Sequence, residues 1–152
     1  MADTKTVNTG NTTTAGGAPA PLGAYPHAKR AGDLLFLSGI GPRAAGGGPI
    51  PGTGKDADGN VITTDIEAQC HAVFANVRSV LESAGAAWED LVDITVYLTD
   101  IGRDFHIYNR VYAEYFRASD GPCRTTVEVS RLPSPIAIDG CVAFTPVLRL
   151  KS

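Results

Sequence analysis

Residues 64 to 85 constrain the fold most tightly. Thr64-Asp-Ile-Glu67 has the spacing of a capping box, with a hydroxyl at the N-cap and a carboxylate three residues on. Behind it Ile66, Cys70, Val73, Val77, Val80, Leu81 and Ala84 recur at steps of three and four, and Gly85 suits the left-handed turn that closes a helix. Such a helix must lay its apolar face on a second layer. Leu91 to Thr99 offers one: Ile94, Val96 and Leu98 alternate with Thr95, Tyr97 and Thr99, the period of a strand with one buried face. Asp104 is then placed to cap a second helix running to about Phe116. Phe105, Tyr108, Tyr112, Tyr115 and Phe116 form its apolar stripe, and Asn109 lies on the same side. A buried amide there needs a partner, which can be a neighbouring backbone or a ligand.

The flanks complete a sheet. Gly121 to Pro133 reads as a turn, a strand and a proline-marked exit. Val127 and Val129 share one face, expected to be core; Arg124, Thr126, Glu128 and Ser130 share the other. An arginine just inside a Gly-Pro turn can hold a carboxylate with two parallel hydrogen bonds, or sit in a surface salt bridge. Ile138 to Leu150 is apolar on both faces, as in a mid-sheet or interface strand, with Asp139 the exception. Upstream, Tyr25 to Arg30, the turn Ala31-Gly-Asp33, and Leu34 to Gly39 make a hairpin.

Residues 40 to 60, rich in glycine and proline, read as a long surface loop. Gly52-Thr-Gly-Lys-Asp56 lacks the spacing and the hydroxyl of a phosphate loop. Asp56-Ala-Asp-Gly-Asn60 has its glycine too early for a calcium loop, so turns explain both. Residues 1–19 have little to bury and are expected to be a disordered tail ahead of one domain spanning 20–152. The order of elements predicts a two-layer α+β domain, a mixed sheet with two helices on one face. The opposite face would be bare and apolar, and is expected to be covered by other subunits.

Composition closes off several functions. A net charge of -3 argues against nucleic-acid binding, which needs a basic stripe. No apolar run can span a bilayer and the first residues lack an export signal, so a cytoplasmic location is expected. Cys70, Cys123 and Cys141 are odd in number and not in a metal-ligand pattern; reduced thiols and no metal are expected.

Taken in order, Ile66 to Val77, Leu81 to Ala86, Val92 to Asp100, Tyr108 to Phe116 and Arg124 to Pro133 resemble the RidA/YjgF family. The resemblance implies a chorismate-mutase-like fold and a homotrimer whose sheets form a barrel-like core, with ligand clefts between subunits. It also implies hydrolysis of reactive enamines and imines to ketones and ammonia without a cofactor. Arg124 matches the arginine that clamps the substrate carboxylate, and Tyr25, Ser38 and Asn109 match positions lining the cleft. Asp139 stands where most members have a water-orienting glutamate, one methylene longer, and Thr126 replaces a common cysteine. Gly23 to Arg30, Ser38 to Arg43 and Gly121 to Thr126 further resemble the 2-aminomuconate deaminases of this family. That dicarboxylate enamine would need a second anion site, for which Arg43 and His27 are candidates. A generalist acting on 2-aminoacrylate and a non-catalytic trimer that binds small carboxylates are the alternatives. His71 and His106 show no partner in the sequence and receive no role.

Overall fold

The computed structural model of the chain describes residues 5–134 and 136, and the backbone of 138–146. In chain order the elements are β1 (Val7–Thr9), β2 (Thr12–Thr14), β3 (Ala28–Ala31), β4 (Leu34–Leu37), β5 (Thr53–Lys55), β6 (Val61–Thr64), α1 (Ile66–Ser83), β7 (Asp93–Leu98), α2 (Ile101–Tyr115), β8 (Cys123–Glu128) and β9 (Ile138–Pro146). One mixed seven-stranded sheet runs β1-β2-β3-β4-β9-β7-β8, and β5 and β6 pair separately. Among the described residues only the β7–β8 pair is parallel. Among the described residues no helix is long and apolar enough to cross a membrane.

Helix α1 forms where the hydrophobic period demands, burying Cys70, Val73, Phe74, Val77, Val80 and Leu81. Its cap is one residue later than the capping box predicts. Asp65 is the N-cap, its Oδ1 accepting from the Ala68 N–H at 3.1 Å, while Thr64 ends β6 opposite Thr53. A carboxylate caps as well as a hydroxyl and also complements the helix dipole. The Asp65 N–H donates to the Gly52 carbonyl at 2.6 Å. At Gly52 φ is +66°, and a Cβ would lie 2.7 Å from the Asp65 carbonyl oxygen, so glycine is required. The helix ends in a Schellman motif, Ala86 N–H to Leu81 carbonyl and Gly85 N–H to Glu82 carbonyl, at 2.9 and 3.1 Å.

In α2 the cap is Asp100, which accepts from the Arg103 N–H at 3.0 Å, and not Asp104. Asp104 is buried in the first turn, gripped by Nε and Nη2 of Arg103, both at 2.7 Å. The two-pronged pairing keeps a core carboxylate satisfied and raises the Arg103 pKa above its usual value. The aromatic stripe divides. Phe74 of α1 meets Tyr108, Tyr112, Tyr115, Phe116 and Trp88 in one cluster between the helices. Phe105 stays 37% exposed.

Under the helices lie Leu35, Leu37, Ile94, Val96 and Leu98. The open sheet face carries Leu34, Phe36, Tyr97 and Val127 beside Lys29, Asp93, Thr95 and Thr125, a more mixed surface than predicted. Val127, expected in the core, is 37% exposed on it. The register sets this: Arg124 pairs with Ile94 and Thr126 with Val96, so they share the helix side. β8 is the edge strand, so polar side chains there reach the rim beside α2 without entering the core.

Within the expected tail, residues 5–19 depart furthest from expectation. β1 and β2 form a hairpin with a two-residue Gly10-Asn11 turn, Gly10 at φ 56°, and β2 continues the sheet onto β3. Val7, Thr9 and Thr12 to Thr14 are β-branched, and the small Ala15 and Ala18 fit into the core at 1% and 2% exposure. Within 40–60, the loop reading misses β5 and the approach to β6. The Asp56 turn is as expected: its carboxylate accepts from the Asp58 and Asn60 N–H groups at 3.0 and 2.8 Å, and the Asn60 bonds hold its pKa below the usual value. Of the long last strand, β9 reaches Pro146, and residues 147–150 lie outside the described residues.

Candidate functional site

The predicted site residues fall into two groups. The first lies at the β8 edge. Arg124, half-buried, points its guanidinium over α2, 4.6 Å from the Tyr112 ring centroid, 5.2 Å from Tyr108 and 6.0 Å from Phe105. These are the rings at helix steps of three and four, and Asn109, four residues after Phe105, flanks them on the same side of the helix. Among the described residues Arg124 has no carboxylate partner and the Asn109 side chain no hydrogen bond. Two residues along the strand, Thr126 Oγ1 is buried with no partner in the described structure. Glu128, next on that face, is spent on the fold: it accepts from the Ile101 N–H at 2.7 Å, at the start of α2.

A guanidinium stacked on aromatic faces is held without its hydrogen-bond donors being used, which leaves the fork free for a planar anion. The buried hydroxyl of Thr126 carries a desolvation cost that a ligand's polar atom could relieve. The arrangement is chemically suited to hold a carboxylate, with polar groups beside it. The sequence singles out Arg124, Asn109 and Thr126 as candidates but reads the stripe only as core. The i, i+3, i+7 spacing of Phe105, Tyr108 and Tyr112 was the available signal for the cradle.

The second group gathers around β3 and β4, and there most side chains grip backbone. Ser38 Oγ donates to the Pro26 carbonyl at 2.7 Å. His27 is buried with both ring nitrogens engaged, Nδ1 to the Ala15 N–H and Nε2 to the Pro19 carbonyl, each at 2.9 Å. It is a structural histidine and offers no free nitrogen to a second carboxylate, correcting that expectation. Arg43 Nη2 donates to the Ala20 carbonyl at 2.9 Å, and the guanidinium lines a cleft of about 400 Å³ with Gly46, Gly47, Gly48 and Ile50. Tyr25 is 44% exposed, its hydroxyl accepting from the Leu22 N–H at 3.2 Å.

One chain does not bring the two groups together. β9 and β7 separate β4 from β8, three strand steps or about 14 Å. The Asp139 backbone pairs with Tyr97 on β7; its side chain lies outside the described residues. His71, given no role from sequence, ties the helices: its Nδ1 shares a hydrogen bond with the Tyr115 hydroxyl at 2.6 Å, with Glu114 4.0 Å from Nε2. Burial, then the Glu114 charge, push the Tyr115 pKa up, so the phenol keeps its proton.

Comparison with known proteins agrees with this architecture. Residues 15–139 match the family model described as Endoribonuclease L-PSP. A RutC family protein of Pyrococcus horikoshii is 41% identical over 122 residues, 80% of this chain and 86% of that protein. The chloroplastic Reactive Intermediate Deaminase A of Arabidopsis thaliana is 37% identical over 127 residues, 83% of this chain and 61% of that one. The crystal structure of the YjgF gene product of E. coli superposes with a TM-score of 0.73 at 29% identity, covering 91% of this chain and 98% of that one. With the family model spanning most of its length and these relatives on either side, the chain belongs to the endoribonuclease L-PSP family, that of the RidA/YjgF proteins.

Proposed function

We propose that the protein hydrolyses small carboxylate-bearing enamines and imines to 2-oxo acids and ammonia. The observation that carries this is Arg124, cradled on three aromatic rings with no carboxylate partner among the described residues. The name of the Arabidopsis relative, a reactive intermediate deaminase, supports the same reading.

The reaction's needs fit these groups. A 2-aminoalkenoate takes a proton on carbon to become an imine, water adds to the C=N carbon, and the tetrahedral adduct expels ammonia to leave the ketone. Arg124 fixes the carboxylate next to that carbon, supplying orientation. The Asn109 amide and Thr126 hydroxyl are dipoles for the nitrogen and the developing hydroxyl. Asp139, on β9 two strand steps from β8, would position the attacking water. Because such enamines and imines hydrolyse readily unaided, modest acceleration suffices.

The gap of about 14 Å between the two groups is too wide for one small molecule to touch both. The reading therefore includes a homotrimer in which the Tyr25 and Ser38 group of one copy faces the Arg124 group of the next. The partly apolar open face, with Leu34 40% exposed, supports burial against other copies. A native mass other than three chains in sedimentation equilibrium would remove this part.

A second reading is 2-aminomuconate as substrate. It is favoured by Arg43 lining a cleft of about 400 Å³, room enough for a second carboxylate. Ammonia release from freshly generated 2-aminoacrylate and 2-aminomuconate, with Arg43→Ala alongside, separates the two. Turnover of 2-aminoacrylate indifferent to Arg43→Ala supports the generalist. A preference for 2-aminomuconate that weakens in Arg43→Ala supports the dicarboxylate enzyme. No turnover of either defeats both.

A further inference from the structure

Three side chains converge on one backbone stretch, residues 15–22. His27, 5% exposed, binds the Ala15 N–H through Nδ1 and the Pro19 carbonyl through Nε2, both at 2.9 Å. An N–H aimed at Nδ1 leaves the ring proton on Nε2, so a single neutral tautomer serves both contacts. Immediately downstream, the Ala20 carbonyl accepts from Arg43 at 2.9 Å, and the Leu22 N–H donates to the Tyr25 hydroxyl at 3.2 Å. The space enclosed by Ala18, Pro19, Tyr25, His27 and Arg43 is only about 20 Å³, room for a water and not for a carboxylate.

We infer that His27 is a positioning residue for the ligand site: it fastens residues 15–19 as a strap, and the fastened strap orients Arg43 and Tyr25. His27 has no free nitrogen for substrate, so it acts through the strap. Ala15 and Ala18 are sealed in the core at one end, while at the other Tyr25 remains 44% exposed. Losing the clip frees the Ala20 carbonyl and the Leu22 N–H together, and with them both side chains they hold. For its effect on substrate the inference rests on the deaminase reading; the fastening itself does not.

The test uses the full chain with His27→Leu and His27→Asn, which break the clip, and His27→Gln, whose amide can accept from Ala15 and donate to Pro19. Amide hydrogen exchange reads the strap at Ala15 and Leu22, and 2-aminoacrylate kinetics read the site through Tyr25, since turnover of that substrate is expected to be indifferent to Arg43. Asn keeps polarity but is too short to reach both partners, so it serves if the Leu variant does not fold. Both disrupting variants should speed exchange at the two amides and raise KM by about tenfold, roughly the loss of one net hydrogen bond, with kcat little changed. Gln should restore both. Unchanged exchange at Leu22, faster exchange with KM unmoved, or no rescue by Gln would overturn the inference. A wild type that releases no ammonia removes the deaminase reading, while the exchange data still decide whether His27 fastens the strap.

Discussion

The β8 edge and the β3–β4 corner carry the same kinds of residue and use them in opposite ways. At the corner Ser38, His27 and Arg43 all bond to backbone within their own chain. At the edge Arg124 rests on rings, Thr126 Oγ1 is buried without a partner in the described structure, and Asn109 has no hydrogen bond there. Polar groups that stabilise a fold have found their partners before any ligand arrives. Groups kept for a ligand are held by packing and left unsatisfied, at a cost to stability. Residue type alone does not separate the two cases, but the hydrogen bonds do.

Breaking each region should therefore give opposite signatures. The largest effect is expected at Arg124→Ala, which should lower kcat/KM on 2-aminoacrylate by about a hundredfold or more. Its thermal unfolding should move little, since a cation–π contact is worth about 1 kcal/mol. Arg103→Ala should act on stability, because it strands the buried Asp104 carboxylate. Urea unfolding should show a loss of about 2–4 kcal/mol, less than for a wholly buried pair because Arg103 is half-exposed.

The crossed pair Ser38→Ala and Thr126→Val sharpens the comparison. Ser38→Ala should cost about 1 kcal/mol of stability through its lost bond to Pro26. Thr126→Val removes an unpaired hydroxyl at nearly equal volume and should leave stability level or slightly raised, while turnover falls by about threefold to tenfold. If both variants lose stability and keep activity, the distinction between the regions fails.

The smallest effect at neutral pH concerns the thiols. Cys123 is exposed and should react with a thiol reagent, whereas Cys70 is buried and should not. Burial, reinforced by the Asp104 charge, pushes the Cys70 pKa from 9.0 up to about 12. The folded state thus keeps a proton that the unfolded chain releases. Cys70 contributes stability below pH 9.0 that is lost as pH rises toward about 12. Urea midpoints of wild type and Cys70→Ala across that range check it, with the wild type expected to fall more steeply.

Much of this was legible from the residues. The period of three and four in α1 and the alternation in β7 each name a single buried face, and both elements formed there. Asp65 and Asp100 took the caps because Asp serves as well as Thr, and several acceptors stood near each helix start. The hairpin at Val7 to Thr14 was hidden by composition: threonines look polar, yet they are β-branched and flank a Gly-Asn turn. In β8 the alternation was read correctly but its faces were exchanged. Only the parallel register against Ile94 and Val96 shows which side meets the helices. At the site, Arg124 stood out in the sequence as a candidate clamp, whereas the engagement of His27 and Arg43 depends on residues 15–20 lying over them.

Calorimetric titration of a small 2-oxo carboxylate, a product analogue, into wild type, Arg124→Ala and Ser38→Ala tests the central claim most directly. The account predicts binding to wild type, about tenfold or greater weakening in Arg124→Ala, and a much smaller change in Ser38→Ala. Equal affinity for wild type and Arg124→Ala, with both still folded, would contradict it.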